Sequence, residues 1–200
     1  MSIANYSELQ TAVLGWSARA DSSFTAKVPD FIRLGEERIW RDLRVSQMVT
    51  TTTLTILAGT KSVALPTNWL EFKRITSATQ DRIEYVDADT LTELDSWGDP
   101  TKYSIEGGNL LYGQTPSSNL DLTARYYAQA DYLSGTSTNW LLTKYPSVYL
   151  YAALLEGAIY AKNSAKAGEY GTLFDKAMAE VETADKTAMS SGSRLRIRTR

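Results

Sequence analysis

The sequence predicts an α+β fold: a helical bundle formed by N- and C-terminal helices, with a small antiparallel β unit inserted between them. Three observations carry this. Apolar residues recur at helical spacing from Asn5 to about Arg44 and again after Pro146. Between Met48 and Ala130 the chain turns β-branched and alternating, with Gly and Pro at the breaks. Neither N-terminal helix is long enough to bury its own stripe, so both should pack against the C-terminal pair. The expected divisions are 1–46 with 139–192 for the bundle, 47–138 for the β unit and 193–200 for an extended C-terminal arm.

The first helix is expected from Asn5 to Ala18. Asn5 can cap it, Glu8 stands at capping-box distance, and Leu9, Val13 and Trp16 form its apolar side. Asp21 to Lys27 reads as a polar linker. Val28-Pro29-Asp30 then opens a second helix to about Arg44, on which Ile32, Ile39 and Leu43 share a face. Its other face is laced with opposite charges four apart, such as Arg33 with Glu37 and Arg38 with Asp42.

VTTTTLTIL and KSVALP flank Ala58-Gly59-Thr60 and predict a hairpin. Glu71 to Ala78 and Ile83 to Val86 read as two more strands around a turn at Thr79–Arg82. Thr90 to Trp97 reads as a short helix capped by Thr90. KYSIEGGNLLYG is a second hairpin, turning at Gly107-Gly108. From Leu120 to Ala130, Leu122, Ala124, Tyr126 and Ala128 alternate with Asp121, Thr123 and Arg125, as in a half-buried strand.

The stretch from Asn139 to Lys162 organises the whole. Pro146 suits the first turn of a helix, where its missing N–H removes nothing. Tyr151, Leu154, Leu155, Ala158 and Ile159 make one apolar stripe, and Glu156 is the lone charge between Pro146 and Ala161. The opposite face carries Tyr149, Ala153, Glu156 and Tyr160, so the helix should be buried on more than one side. That second face should meet either more of the same domain or a neighbouring subunit, and it is the candidate subunit interface. Ser164 to Ser190 forms a last long helix, with a narrow seam from Tyr170 through Phe174, Ala177, Val181 and Ala184 to Ala188.

The 200 residues include 43% hydrophobic side chains, enough for a sizeable core, and carry a net charge of −2. Arg194, Arg196, Arg198 and Arg200 stand in a tail without acids. The remainder has seventeen basic against twenty-three acidic residues, a balance of −6. There is no cysteine and no histidine. Disulfides, thiolate metal sites and the commonest general base are therefore excluded. No secretory signal or membrane-spanning stretch is read, so a protein without membrane contact is expected.

Little in the chain points to catalysis, and no catalytic, cofactor-binding or metal residue is assigned. Glu84, Asp87, Asp89, Glu93 and Asp95 cluster, but Leu91 falls where a calcium loop needs a ligand and the loop's glycine is absent. A hydrolase using Glu84 and Asp87 is the enzymatic alternative. The sharpest feature is RLRIRTR: arginines alternate with Leu195, Ile197 and Thr199. The pattern suits an extended strand added to a partner's surface. A sequence-independent grip on DNA phosphates and a frayed basic tail are the other readings.

The blocks ANYSELQTAVLGW, VPDFIRLGEERIWRDLRV, TLTILAGTKSVALPTNWLEFKRI, YSIEGGNLL and NWLLTKYPSVYLYAALLEGAIY occur in order along nearly the whole chain. Together they resemble the head-to-tail adaptor (connector) proteins of tailed bacteriophages, especially short-tailed ones. The resemblance implies a non-enzymatic virion protein without cofactors, made in the host bacterial cytoplasm and placed at the head–tail junction. It implies a dodecameric ring beneath the portal protein, joined below to a nozzle or tail-hub protein. It further implies a DNA channel through the ring, used for genome retention and ejection without sequence-specific binding. Arg194, Leu195, Arg196, Ile197, Arg198 and Arg200 would then form a portal-docking arm. A body at −6 with its cations gathered in a tail suits a channel along which a duplex must slide.

Overall fold

A computed structural model of the chain describes residues 3–19, 21–94 and 96–191. The element order is α1 (Tyr6–Ser17), α2 (Ser22–Asp42), a 3-10 turn (Ser46–Met48), β1 (Val49–Ile56), β2 (Ser62–Ala64), β3 (Trp69–Thr76) and β4 (Glu84–Tyr85). There follow α3 (Ala88–Thr92), β5 (Ser96–Trp97), β6 (Lys102–Glu106), β7 (Asn109–Tyr112), β8 (Gln114–Thr115) and β9 (Leu120–Ala128). The chain closes through α4 (Leu133–Thr136), α5 (Trp140–Lys144), α6 (Pro146–Tyr160) and α7 (Ser164–Ser190). The fold class is α+β. Two compact units divide it: residues up to Ser46 with those from Ala130 onward, and Gln47–Gln129 between them.

In the helical unit, local capping sets most boundaries. Asn5 accepts the Glu8 N–H at 3.0 Å, and the Glu8 carboxylate accepts the Ala4 N–H at 2.7 Å. Ala18 ends α1 in the left-handed region, at φ 51°. Asn163 caps α7 by accepting the Lys166 N–H at 3.1 Å. The second helix departs from expectation. It begins at Ser22, not at Val28, and Pro29 lies inside it. Asp21 is the reason: its carboxylate accepts the Phe24 N–H at 2.9 Å and the Ser23 hydroxyl at 2.7 Å, and pairs with Arg19 at 2.9 Å. These bonds hold its pKa down to about 2. Proline removes one helical hydrogen bond, but the turn before it buries Phe24 and Val28, which offsets the loss.

The unit is built on the contact of α2 with α6. A Cβ on Gly35 would stand 3.0 Å from Ala152 Cβ and 3.3 Å from the Ala153 nitrogen. On α6, a Cβ at Gly157 would stand 3.1 Å from Phe24 Cζ. Each helix thus gives up a side chain where the other presses in. Val148, Tyr149, Ala152, Ala153 and Leu154 are all buried, so α6 is enclosed nearly all round. On α7, Phe174, Ala177, Met178 and Val181 are buried, while Ala184 and Ala188 are exposed, so the expected seam stops early. At 1.5 Å per residue α6 is about 22 Å long and α7 about 40 Å, so α6 cannot cover the full length. Asp185 instead accepts the Ser46 N–H at 3.0 Å and its hydroxyl.

In the β unit, β9 lies between β1 and β3, and both pairings are antiparallel. The second sheet runs β2-β7-β6-β4 and β5 pairs with β8. Two expectations fail here. β1 does not form a ladder with β2: it pairs over its whole length with β9, Val49 opposite Tyr127 through Ile56 opposite Leu120. The inward rows decide this, since Leu54 and Ile56 meet Leu122 and Ala124 in one core. The turn at 58–60 is drawn away as well, with Gly59 donating to the Pro116 carbonyl and Ala58 to Asn119. The short helix runs Ala88–Thr92 under an Asp87 cap, and Ser96–Trp97 is a strand parallel to β8. β4 likewise pairs with β6 in parallel. The second hairpin forms as read, with Gly107 and Gly108 at φ 56° and 78°, which suits a two-residue type I′ turn.

Gly35→Leu tests the helix contact. It should lower stability by about 2–3 kcal/mol or more, because backbone as well as a side chain blocks the added atoms. Gly15→Ala on α1, where a Cβ meets nothing within 4 Å, should be neutral or stabilising by up to about 1 kcal/mol. Urea unfolding followed by helical circular dichroism reads both.

Candidate functional site

The four residues read as a subunit contact stand along α6, but the structure turns that face toward α2. Tyr149 is buried, and its hydroxyl accepts a hydrogen bond from Asn139 Nδ2 at 2.7 Å. Burial pushes its phenol well up. Ala153 is fully buried beside Gly35. Glu156 receives two bonds from Arg38 on α2, at 2.5 Å from Nη2 and 3.1 Å from Nε. These contacts correct the expectation: Tyr149 and Ala153 are covered by the chain's own helices and offer nothing to a second copy. Ala153→Arg should therefore unfold the protein, at a cost above about 4 kcal/mol for burying an unpaired charge in a packed site.

Tyr160 is different. It is 46% exposed, and its ring leans on Phe31 at 5.3 Å and Phe24 at 6.2 Å. Ile159 beside it is 51% exposed, and Trp16 on α1 is 55% exposed with its ring edge-on to Tyr151 at 6.1 Å. A cavity of about 370 Å³ opens in the same unit, lined by Trp16, Phe24, Leu154, Ala158 and Tyr170 with Lys166 at its side. Arg19 stands 4.8 Å over the Phe24 ring. Large apolar side chains left in water beside a cavity mark a surface for association. Trp16 and Ile159 lie on the expected apolar stripes yet are exposed, because helical spacing assigns a face but not what covers it.

A second missed residue is Glu36. It is buried on α2, and its carboxylate accepts the Leu133 N–H at 2.8 Å, capping α4 where Tyr132 has no side-chain cap of its own. Arg33 lies over the Tyr132 ring at 3.1 Å. Its position on the Ile32 and Ile39 stripe was the available signal: an acid on a buried face needs a partner. Burial pushes Glu36 up to about 7, against the pull of the Leu133 bond and Arg33.

The acidic cluster does not assemble into a site. Asp87 is spent on the Ala88 N–H at 2.7 Å, and Asp95 lies outside the described residues. A cavity of about 350 Å³ beside α3 is lined by Lys61, Asp89, Leu91, Glu106 and Tyr112, and not by Glu84 or Asp87. Among the described residues no cluster of acids could hold a metal ion, and no helix is long and apolar enough to cross a membrane. Residues 193–200, with the proposed docking arginines Arg194, Arg196, Arg198 and Arg200, lie outside the described residues.

Glu36 gives a pH signature. The folded state holds its proton up to about pH 7, whereas the unfolded chain releases it near 4.5. Its contribution to stability is therefore full at low pH and falls as pH rises between those values. Wild type should lose on the order of 2 kcal/mol relative to Glu36→Gln between about pH 5 and 7. Urea midpoints of both proteins across that range measure the difference; parallel profiles would contradict it.

A family model described as SU10 adaptor protein matches residues 4–198, through the helical segments and the β unit alike. A comparison with curated proteins gives no match. The match spans nearly the whole chain, well beyond either unit alone. The chain therefore belongs to the SU10 adaptor protein family of phage head-to-tail adaptors, and it is a structural component of the virion.

Proposed function

We propose that the protein assembles as a dodecameric ring that joins the portal to a nozzle or tail-hub protein and continues the DNA channel for genome retention and ejection. The family match over residues 4–198 carries this reading. Two physical features support it. The exposed Trp16, Ile159 and Tyr160 give the helical unit an apolar surface of the kind that buries between subunits. The charge balance of −6 outside the arginine tail disfavours phosphate binding by the body, as a sliding duplex requires.

In this assembly the subunit contact lies on the surface that bears Ile159 and Tyr160, with Glu156 behind it bracing α6 against Arg38. The arm at 193–200 reaches to the portal, with Arg194, Arg196, Arg198 and Arg200 pairing to acids and Leu195 and Ile197 packing on an apolar strip. The β unit faces outward or toward tail components. The protein acts as a structural joint and not as an enzyme.

Negative-stain images of the protein mixed with portal should show twelve-fold rings seated on it. Ile159→Arg, at an exposed position, should abolish rings while leaving circular dichroism unchanged. Deleting 193–200 should leave a folded protein that no longer binds portal. Rings from Ile159→Arg would refute the contact, and unchanged portal binding by the deletion would refute the arm. Steeply salt-dependent DNA binding through the tail would favour the DNA-binding reading instead.

A further inference from the structure

The two edges of the β1-β9-β3 sheet are built differently. β3 shifts register against β9 twice, between Trp69 and Glu71 and between Phe72 and Arg74. It also carries Glu71, Lys73 and Arg74. Bulges and charges of this kind are what keep an edge strand from pairing with another chain. β1 has none of them. Its register with β9 is unbroken over eight residues, and Val49–Ile56 contains neither a charge nor a proline. Among the described residues, no backbone hydrogen bond reaches β1 apart from its ladder with β9. Every second residue of β1 thus points an N–H and a C=O outward without a backbone partner.

We infer that the β1 edge is a receptor for an added strand, and that its occupant is the arm at 194–200 of a second copy of this chain. The inference rests on the proposed reading of that segment as a docking arm. β1 has one buried row, Leu54 and Ile56, and one exposed row, Thr51, Thr53 and Thr55. The segment RLRIRTR has the same two-residue period. Laid beside β1, its Leu195, Ile197 and Thr199 continue the Leu54 and Ile56 row, and its arginines fall on the threonine side. Asp121, opposite Thr55 on that side and bonded to its hydroxyl at 2.6 Å, offers a carboxylate to one of them. Arg125, opposite Thr51, disfavours an arginine at the other end and so helps fix the direction of the added strand. Seven residues cover most of an eight-residue edge. Contact of an arm on one copy with an edge on the next is head-to-tail, the kind that closes rings. The portal then competes for the same arm, so portal binding would uncover β1.

The test is hydrogen exchange on the full-length protein without portal, at two concentrations a hundredfold apart, with the double variant Leu195→Asp/Ile197→Asp beside wild type. Wild type should protect β1 amides at high concentration and lose that protection on dilution. The variant should exchange in β1 at least tenfold faster, with β9 and α6 unchanged. A synthetic peptide of residues 193–200, in excess, should restore protection to the variant but not to the variant that also carries Thr53→Lys. Equal β1 exchange in wild type and variant would overturn the inference. Protection that survives dilution would overturn the second copy as occupant. A portal pull-down run in parallel separates the two proposals, since failure there with β1 protected removes the portal and leaves this edge contact standing.

Discussion

The structure depends on the close approach of α2 and α6 at Gly35 and Gly157. Those glycines stand 122 positions apart in the sequence. Their contact joins the helices before the β unit to the helices after it. Each position takes the side chain away at the point where the other helix supplies one, Ala152 against Gly35 and Phe24 against Gly157. The Arg38–Glu156 pair adds a fixed angle at the margin of this contact, with the carboxylate side largely out of water. Side chains around it follow: Tyr149 finds Asn139, Glu36 finds the start of α4, and Phe31 supports Tyr160.

Much of this was legible in the sequence. α7 could be placed from its apolar seam through Phe174, Ala177 and Val181, and α1 and α6 because Asn5 and Pro146 mark their starts by local chemistry. The Gly107-Gly108 hairpin was legible for the same reason. The start of α2 was misread because Pro29 looks like a first-turn proline, while the true cap, Asp21, sits in a stretch rich in polar residues. The first turns of α2, which place Phe24, were lost with it. The second face of α6 failed for a different reason: Gly35 and Arg38, which cover Ala153 and Glu156, lie within the expected α2, but helical periodicity does not say which helix packs on which face.

The β unit shows the same division between local and distant information. The alternation of β9 is plain from residue types alone, and its buried row is the one expected. Its partner was not legible. The turn at 58–60 pointed to β2, but the ladder to β9 spans more than sixty residues of chain, and only the match of two apolar rows selects it. The candidate site was less legible than the fold. Exposure of Ile159 and Trp16 follows from which helices end where, and a stripe pattern carries no such information.

For an adaptor these features are consistent with one another. An adaptor between virion proteins needs a rigid body and a separate surface with which to hold its partners. The α2–α6 contact supplies the first, with its apolar and charged contacts turned inward. Exposed apolar side chains lie elsewhere on the helical unit, at Trp16, Ile159 and Tyr160. The direct test is native-state hydrogen exchange across the helical unit. If α2 and α6 form one cooperative body, amides around Ile32–Ile39 and Val148–Ala158 should exchange through a single opening, with the same free energy and the same denaturant dependence. An α2 that opens at low free energy while α6 stays protected would contradict the account at its base.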